Sequence, residues 1–246
     1  MACSCLTDAT ALLMSETLQF LEFSIPCPDV GESLAWYLQL GFAELETGDI
    51  RTHHYAVVSD GDFCIGLHDS NYASLGLSFV RPDVASHVRN EQRAGHSFEF
   101  ARLGVEDFNE AAQIDPDGTL MVMLEARTFS PGIKNKQRSP LTGCLDHVAL
   151  PCMQLDDALE FWQRYNFIVV ESGKAGMAEL HSPDVTLQLR EGTRHPELHF
   201  RPTDYAASLQ AMEHTNTAVQ LVNNGYRLTS PEGTWLVITD TSAASA

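Results

Sequence analysis

The sequence predicts an α+β protein made of two copies of one domain, each copy reading βαβββ twice. Three observations predict it: a four-block internal repeat, short apolar runs of strand length, and amphipathic stretches opened by Asp. Setting residue 22 over residue 147, an offset of 125, lays FLEFSIPCPDVGESLAWYLQLGF (20–42) on LDHVALPCMQLDDALEFWQRYNF (145–167). Pro26-Cys27 then meets Pro151-Cys152, and Trp36-Tyr37 meets Phe161-Trp162. Three further blocks follow in the same order: 56–69 on 178–191, 77–88 on 198–209, and 115–124 on 230–239. Ordered matches with so little drift in offset mark a duplication.

Each element has a local cause. The apolar runs Leu18–Ile25 and Leu145–Leu150 read as opening strands. Asp29 and Asp156 are the expected N-caps of helices that end near Leu40 and Tyr165. Trp36, Phe161 and Trp162 fall on the inner faces of those helices. Strands near 52–58 and 63–68 are joined by the turn Ser59-Asp60-Gly61-Asp62, and a strand at 77–80 follows. Asp83, and Asp204 in the second copy, open the next helices, the first of them ending at Gly95. The DPDG turn (115–118) introduces the last strand, 119–126. The domains expected are 17–127 and 144–240. The polar, Pro- and Gly-bearing stretch 128–143 is the linker, and 1–16 and 241–246 are disordered tails.

Composition narrows the function. Of 246 residues, 33 are acidic and 15 basic, a formal charge of −18, which argues against nucleic-acid and anionic-membrane partners. No apolar run reaches the roughly 18–20 residues that span a bilayer. The start MACSCLTDATALLMSE lacks the basic region and apolar core of a secretory signal, so the expectation is a cytoplasmic protein. Six cysteines contain no CxxC pair, and Cys27, Cys64 and Cys152 are expected as buried free thiols. A phosphate loop, a GxSxG elbow and an HExxH helix are all missing.

Doubled βαβββ units with IPC and LPC first strands, a WY helix, and DPDG or SPEG turns before the last strand resemble the vicinal oxygen chelate (VOC) superfamily. That superfamily includes glyoxalase I, extradiol dioxygenases, a fosfomycin-inactivating thiol transferase and the bleomycin resistance proteins. The resemblance implies tandem VOC-type domains with concave mixed sheets. It also implies metal ligands at four strand positions. Carried over, these are Glu22, Gly66, Ser78 and Val122 in the first copy, and His147, Gln188, His199 and Val237 in the second.

The last-strand carboxylate typical of catalytic members is thus valine in both copies. A divalent ion without that anion keeps its full charge in a low-dielectric site. A metal set of His147, Gln188, His199 and Glu179 remains conceivable in the second copy, for Fe, Mn, Zn or Ni. Strand alternation puts Glu179 and Gln188 on one face, with Ala178, Leu180, Leu187 and Leu189 on the other. The expected state is nevertheless metal-free: a polar pocket lined by Tyr55, Gly66, His68, Ser78 and Val122 in one copy. In the other the lining is Glu179, Gln188, Arg190, Trp235 and Val237. Gly66 would leave room for a ligand, and Trp235 would be a stacking wall.

Three readings stay open. One is a metal-free enzyme on a small organic substrate, with Glu22 or His147 as base and Arg190 holding an anionic group. Another is a drug- or metabolite-sequestering protein. The third is a metal-dependent lyase, isomerase or dioxygenase with its ion in the second copy. The partner expected is a small molecule, and the assembly a monomer with internal pseudo-twofold symmetry or a homodimer.

Overall fold

The computed structural model describes residues 18–47, 53–69, 75–105, 108–126, 141–215 and 217–240, with 171–174 described as backbone only. The linker 128–143 falls outside them up to residue 140, as do both predicted tails, Cys3 and Cys5. The first half holds β1 (Gln19–Pro26), α1 (Val30–Gln39), β2 (Ala43–Leu45), β3 (Tyr55–Ser59) and β4 (Cys64–His68). It continues with β5 (Gly76–Arg81), α2 (Val84–Arg93), β6 (Phe100–Arg102), β7 (Glu110–Ile114) and β8 (Leu120–Glu125). The second half repeats the order: β9 (Cys144–Cys152), α3 (Leu155–Arg164), β10 (Ile168–Lys174), β11 (Met177–His181) and β12 (Thr186–Glu191). After these come β13 (Glu197–Arg201), α4 (Tyr205–Met212), β14 (Gln220–Val222), β15 (Gly225–Thr229) and β16 (Trp235–Thr239).

Each half is one eight-stranded mixed sheet, in the orders β2-β3-β4-β1-β5-β8-β7-β6 and β10-β11-β12-β9-β13-β16-β15-β14. Within a module the first and last strands run parallel, which requires a crossover, and the helix supplies it. The two modules of each half meet antiparallel at β1–β5 and β9–β13. The two halves are thus the duplicated α+β architecture that the repeat predicts.

Alternation divides each sheet. Phe23 and Ile25, Ile65 and Leu67, and Leu77 and Phe79 pack against the helices in one core that also holds Leu187, Leu189 and Phe200 of the other half. Phe42 and Phe63 lie 5.9 and 6.0 Å from Phe200 between ring centroids, so the halves share that core. Polar ties cross it too: Glu232 accepts from Ser33 Oγ (2.7 Å) and Tyr37 OH (3.0 Å). The chemistry-bearing residues lie on the far faces, turned away from the helices.

Several local expectations change. Asp29 caps α1, accepting from the Glu32 amide at 2.9 Å. The cap of α3 is Gln154 rather than Asp156, because the apolar phase begins at Leu155; Asp156 sits in the first turn, where it favours the helix dipole. Asp83 holds the N-cap of α2 but turns its carboxylate to Arg81 Nε (2.8 Å), whereas Asp204 caps α4 through the Ala207 amide. In DPDG, Asp115 accepts from the amides of Asp117 and Thr119, and Gly118 takes the left-handed φ of +95° that the turn needs. Cys27 and Cys152 are buried free thiols as expected, but Cys64 is only half-buried. It lies on the far face of β4, in phase with Gly66. Among the described residues no helix is long and apolar enough to cross a membrane.

Candidate functional site

Both opening strands carry a bulge, one immediately before Glu22 and the other immediately before His147. The register of β1 slips between Phe20 and Glu22, and that of β9 against β13 slips at His199/Phe200, leaving Asp146 as the extra residue. The bulge lets Phe20 and Phe23, three apart, both face the core, and it aims Glu22 and His147 at the opposite side. Cross-strand pairing then assembles matching sets. Glu22 faces Ser78 and Ser78 faces Val122; in the second half His147 faces His199 and His199 faces Val237.

In the first half these groups are closed off from solvent. Glu22 is 1% exposed. Its carboxylate accepts from Tyr55 OH (2.5 Å) and Ser24 Oγ (3.2 Å), and lies 3.0 Å from His68 Nε2. His68 Nδ1 is in turn 3.0 Å from His53 Nε2, and Ser24 Oγ is 2.7 Å from Ser78 Oγ. Beside this polar chain, Ala112, Leu120, Val122 and Leu124 form a second apolar cluster. The room expected over Gly66 is already filled: a Cβ there would lie 2.5–2.6 Å from the Glu22 carboxylate. Gly66 makes space for the protein's own side chain, not for a ligand.

The second half is more accessible and centres on Arg190. Its Nε donates to Gln188 Oε1 (2.6 Å) and its Nη1 to Glu197 Oε2 (3.1 Å), while Nη2 lies 3.1 Å from His147 Nε2. A guanidinium has no acceptor, so His147 Nε2 must present its lone pair and carry its proton on Nδ1, 3.0 Å from Asp146 Oδ2. His199 Nε2 donates to Glu197 Oε2 at 2.9 Å. The hydrogen bond from His199, with the charges of His199 and Arg190, holds the Glu197 carboxyl below the usual range. Burial lowers His199, partly offset by Glu197, and burial also lowers Arg190. The His147 bond pulls the Asp146 carboxyl down.

Other predicted residues are placed differently. Glu179 faces Gln188 across the strands, as alternation predicts, but its carboxylate is bonded to His181 Nε2 at 2.8 Å. Trp235 is on the far face, yet the Arg227 guanidinium already lies 3.7 Å over its ring. Sequence reasoning missed Glu197, Asp146, Arg227 and His53. Glu197 was findable, since it shares strand parity with His199. Asp146 was signalled by the odd spacing of Leu145 and Val148.

A divalent ion does not fit the second-half groups as they stand. The rings of His147 and His199 stack at 4.3 Å and 14°, so their in-plane lone pairs run parallel and cannot meet on one ion about 2.1 Å from each. Three acceptors that could serve an ion are bonded to a cation already. Among the described residues no three His, Cys, Asp or Glu side chains group as a metal site would require.

No protein-family model matches the chain, and no curated protein matches its sequence. Solved structures do. A catechol 2,3-dioxygenase matches with TM-score 0.62 and 14% identity, over 90% of this chain and 87% of that one. A homoprotocatechuate 2,3-dioxygenase from Brevibacterium fuscum matches with TM-score 0.65 and 12% identity, over 91% and 81%. A Mn(II)-bound glyoxalase from Novosphingobium aromaticivorans matches with TM-score 0.59 and 11% identity, over 90% and 81%. The chain therefore has a vicinal-oxygen-chelate-type fold in tandem.

Proposed function

We propose that the chain holds a small organic anion on the far face of its second half, through its own side chains rather than through a divalent ion. The observation that carries this reading is accessibility. Arg190 and Glu197 keep 24% and 19% of their side-chain surface exposed, whereas the first-half pair His68 and Glu22 is sealed at 1% and 2%. An entering carboxylate can replace Glu197 on the Arg190 fork at modest cost, because it returns a charge-assisted, two-point hydrogen bond for the one it breaks. The Trp235–Arg227 stack offers a flat flank, which suits a planar ligand.

The test is calorimetric titration with aromatic carboxylates, salicylate being the first probe, followed by mass-spectrometric analysis for any product. Saturable binding weakened at least about tenfold by Arg190→Ala, roughly 1.4 kcal/mol, supports the reading. A panel without saturable binding sinks it. Turnover separates an enzyme from a sequestering protein at the same site.

A second reading has support of its own. The Mn(II)-bound glyoxalase among the structural neighbours favours a metal-dependent enzyme, in which His147 and His199 would have to leave their stacked arrangement to share an ion. About one equivalent of metal in purified protein, lost in both His147→Ala and His199→Ala, would put that reading first.

A further inference from the structure

We propose that the Arg190 guanidinium is the resident cation of the second half: it takes the place an ion would need, and its removal uncovers a latent divalent-metal site made by His147, Gln188 and Glu197. This rests on the metal-free part of the reading above and deepens it, by naming what replaces the ion.

Three features of the geometry point this way. First, the acceptors on Arg190 are an imidazole nitrogen, an amide oxygen and a carboxylate oxygen, at 3.1, 2.6 and 3.1 Å. That is an N/O donor set of the kind that binds borderline divalent ions, converging from β9, β12 and β13. Second, His147 is oriented as a metal-bound imidazole is: Nδ1–H donates to Asp146 Oδ2, so the Nε2 lone pair faces the cation. The Asp146–His147–Arg190 chain has the order carboxylate, imidazole, cation, with guanidinium in the last place. Third, the cationic head sits between these acceptors, and a second, doubly charged cation in the same low-dielectric space would be repelled by it.

The sequence explains why this half can do it. The position matching Arg190 in the first half is His68, because Arg190 pairs with Pro151 on the opening strand as His68 pairs with Pro26. The position matching Glu197 is Gly76, as both register one strand over with the matched pair Ala149 and Ser24. Cation and counter-carboxylate are thus both particular to the second half.

The experiment uses the full chain in four forms: wild type, Arg190→Ala, Arg190→Lys, and Arg190→Ala with His147→Ala. Each is dialysed against Zn²⁺ or Co²⁺ and then assayed for bound metal and for cobalt d–d absorption. Wild type and Arg190→Lys are expected to hold less than about a tenth of an equivalent, and Arg190→Ala about one, lost again in the double variant. Thermal melts establish that each variant is folded. If Arg190→Ala does not fold, the His147 tautomer of the wild type, read by ¹⁵N–¹H long-range correlation, decides: Nδ1–H supports the proposal and Nε2–H overturns it. Metal bound by wild type through His147 would also overturn it, as would a folded Arg190→Ala that binds none. That last outcome leaves the ligand reading intact, and an unsuccessful ligand panel leaves this inference intact.

Discussion

Gly66→Ala tests whether the first half is closed by its own carboxylate. The added Cβ would stand 2.5 Å from Glu22 Cδ and 2.6 Å from both carboxylate oxygens, a clash that something must relieve. The end of a loose side chain could swing away. Glu22 is not loose: Tyr55 at 2.5 Å, His68 at 3.0 Å and Ser24 at 3.2 Å hold it. Relief therefore breaks at least one hydrogen bond to a carboxylate, costing roughly 1.5–3 kcal/mol. Overpacking adds about 1–3 kcal/mol, while removing a glycine from a strand returns about 0.5–1 kcal/mol. The net expectation is a loss of about 1.5–5.5 kcal/mol, read as a lower urea midpoint with an unchanged slope. For a chain of this size each kcal/mol corresponds to about 2–4 °C in Tm. The decisive arm is the same substitution in a Glu22→Ala background, where the space is vacant and the added methyl should cost less than about 0.5 kcal/mol. Equal costs in both backgrounds, or a single variant within about 0.5 kcal/mol of wild type, would refute the argument.

Two further outcomes follow from groups buried in the fold. Burial pushes Asp115 up to about 6 despite its two amide donors, so the folded state holds this proton more tightly than the unfolded chain does. The stability it contributes is present below about pH 4 and lost as pH rises through 6, by up to about 3 kcal/mol at 1.36 kcal/mol per unit. Asp115→Asn keeps an oxygen for both amides and should flatten that slope, gaining on wild type between pH 4.5 and 7.5; an unchanged slope in urea titrations would count against it. Burial likewise pushes the Cys27 thiol to about 12 and Cys152 to about 11. Iodoacetamide at pH 8 should therefore leave both unlabelled in native protein and label both in urea, as peptide mass mapping would show.

The repeat was legible because strand faces alternate with period two, and that period survives divergence of the side chains. The registers show how far it carries: Ser24 pairs with Gly66 as Ala149 pairs with Gln188, and Ser78 pairs with Val122 as His199 pairs with Val237. Pairing of this kind places Cβ atoms. It does not say where long side chains end. Arg190 was placed on the right face, but its reach across three strands to His147, Gln188 and Glu197 depends on torsions that no pattern encodes. The same limit hid Arg227 lying on Trp235 and Glu22 folding over Gly66. Glu197 escaped for another reason: its counterpart in the first copy is Gly76, so comparing the repeats drew no attention to that position.

The matched contacts suggest how one scaffold came to hold two different interiors. In both halves the residue that follows the bulge of the opening strand touches the same far-face position of its parallel neighbour: Glu22 with His68 at 3.0 Å, and His147 with Arg190 at 3.1 Å. Between the two pairs the roles move by one step. The opening strand offers a carboxylate in one half and an imidazole in the other, while the neighbour offers an imidazole and then a guanidinium. In the first half the acceptor's partners come from within the sheet, and the space above Gly66 is spent on it, so the set works as sealed internal structure. In the second half the donor is a five-hydrogen fork at the solvent boundary, with Glu197 as a partner that an incoming anion can displace. A buried carboxylate with its donors supplied has little to gain from a ligand, whereas a guanidinium that keeps about a quarter of its side-chain surface exposed can trade one anion for another. That asymmetry is the physical reason to look for binding in the second half first.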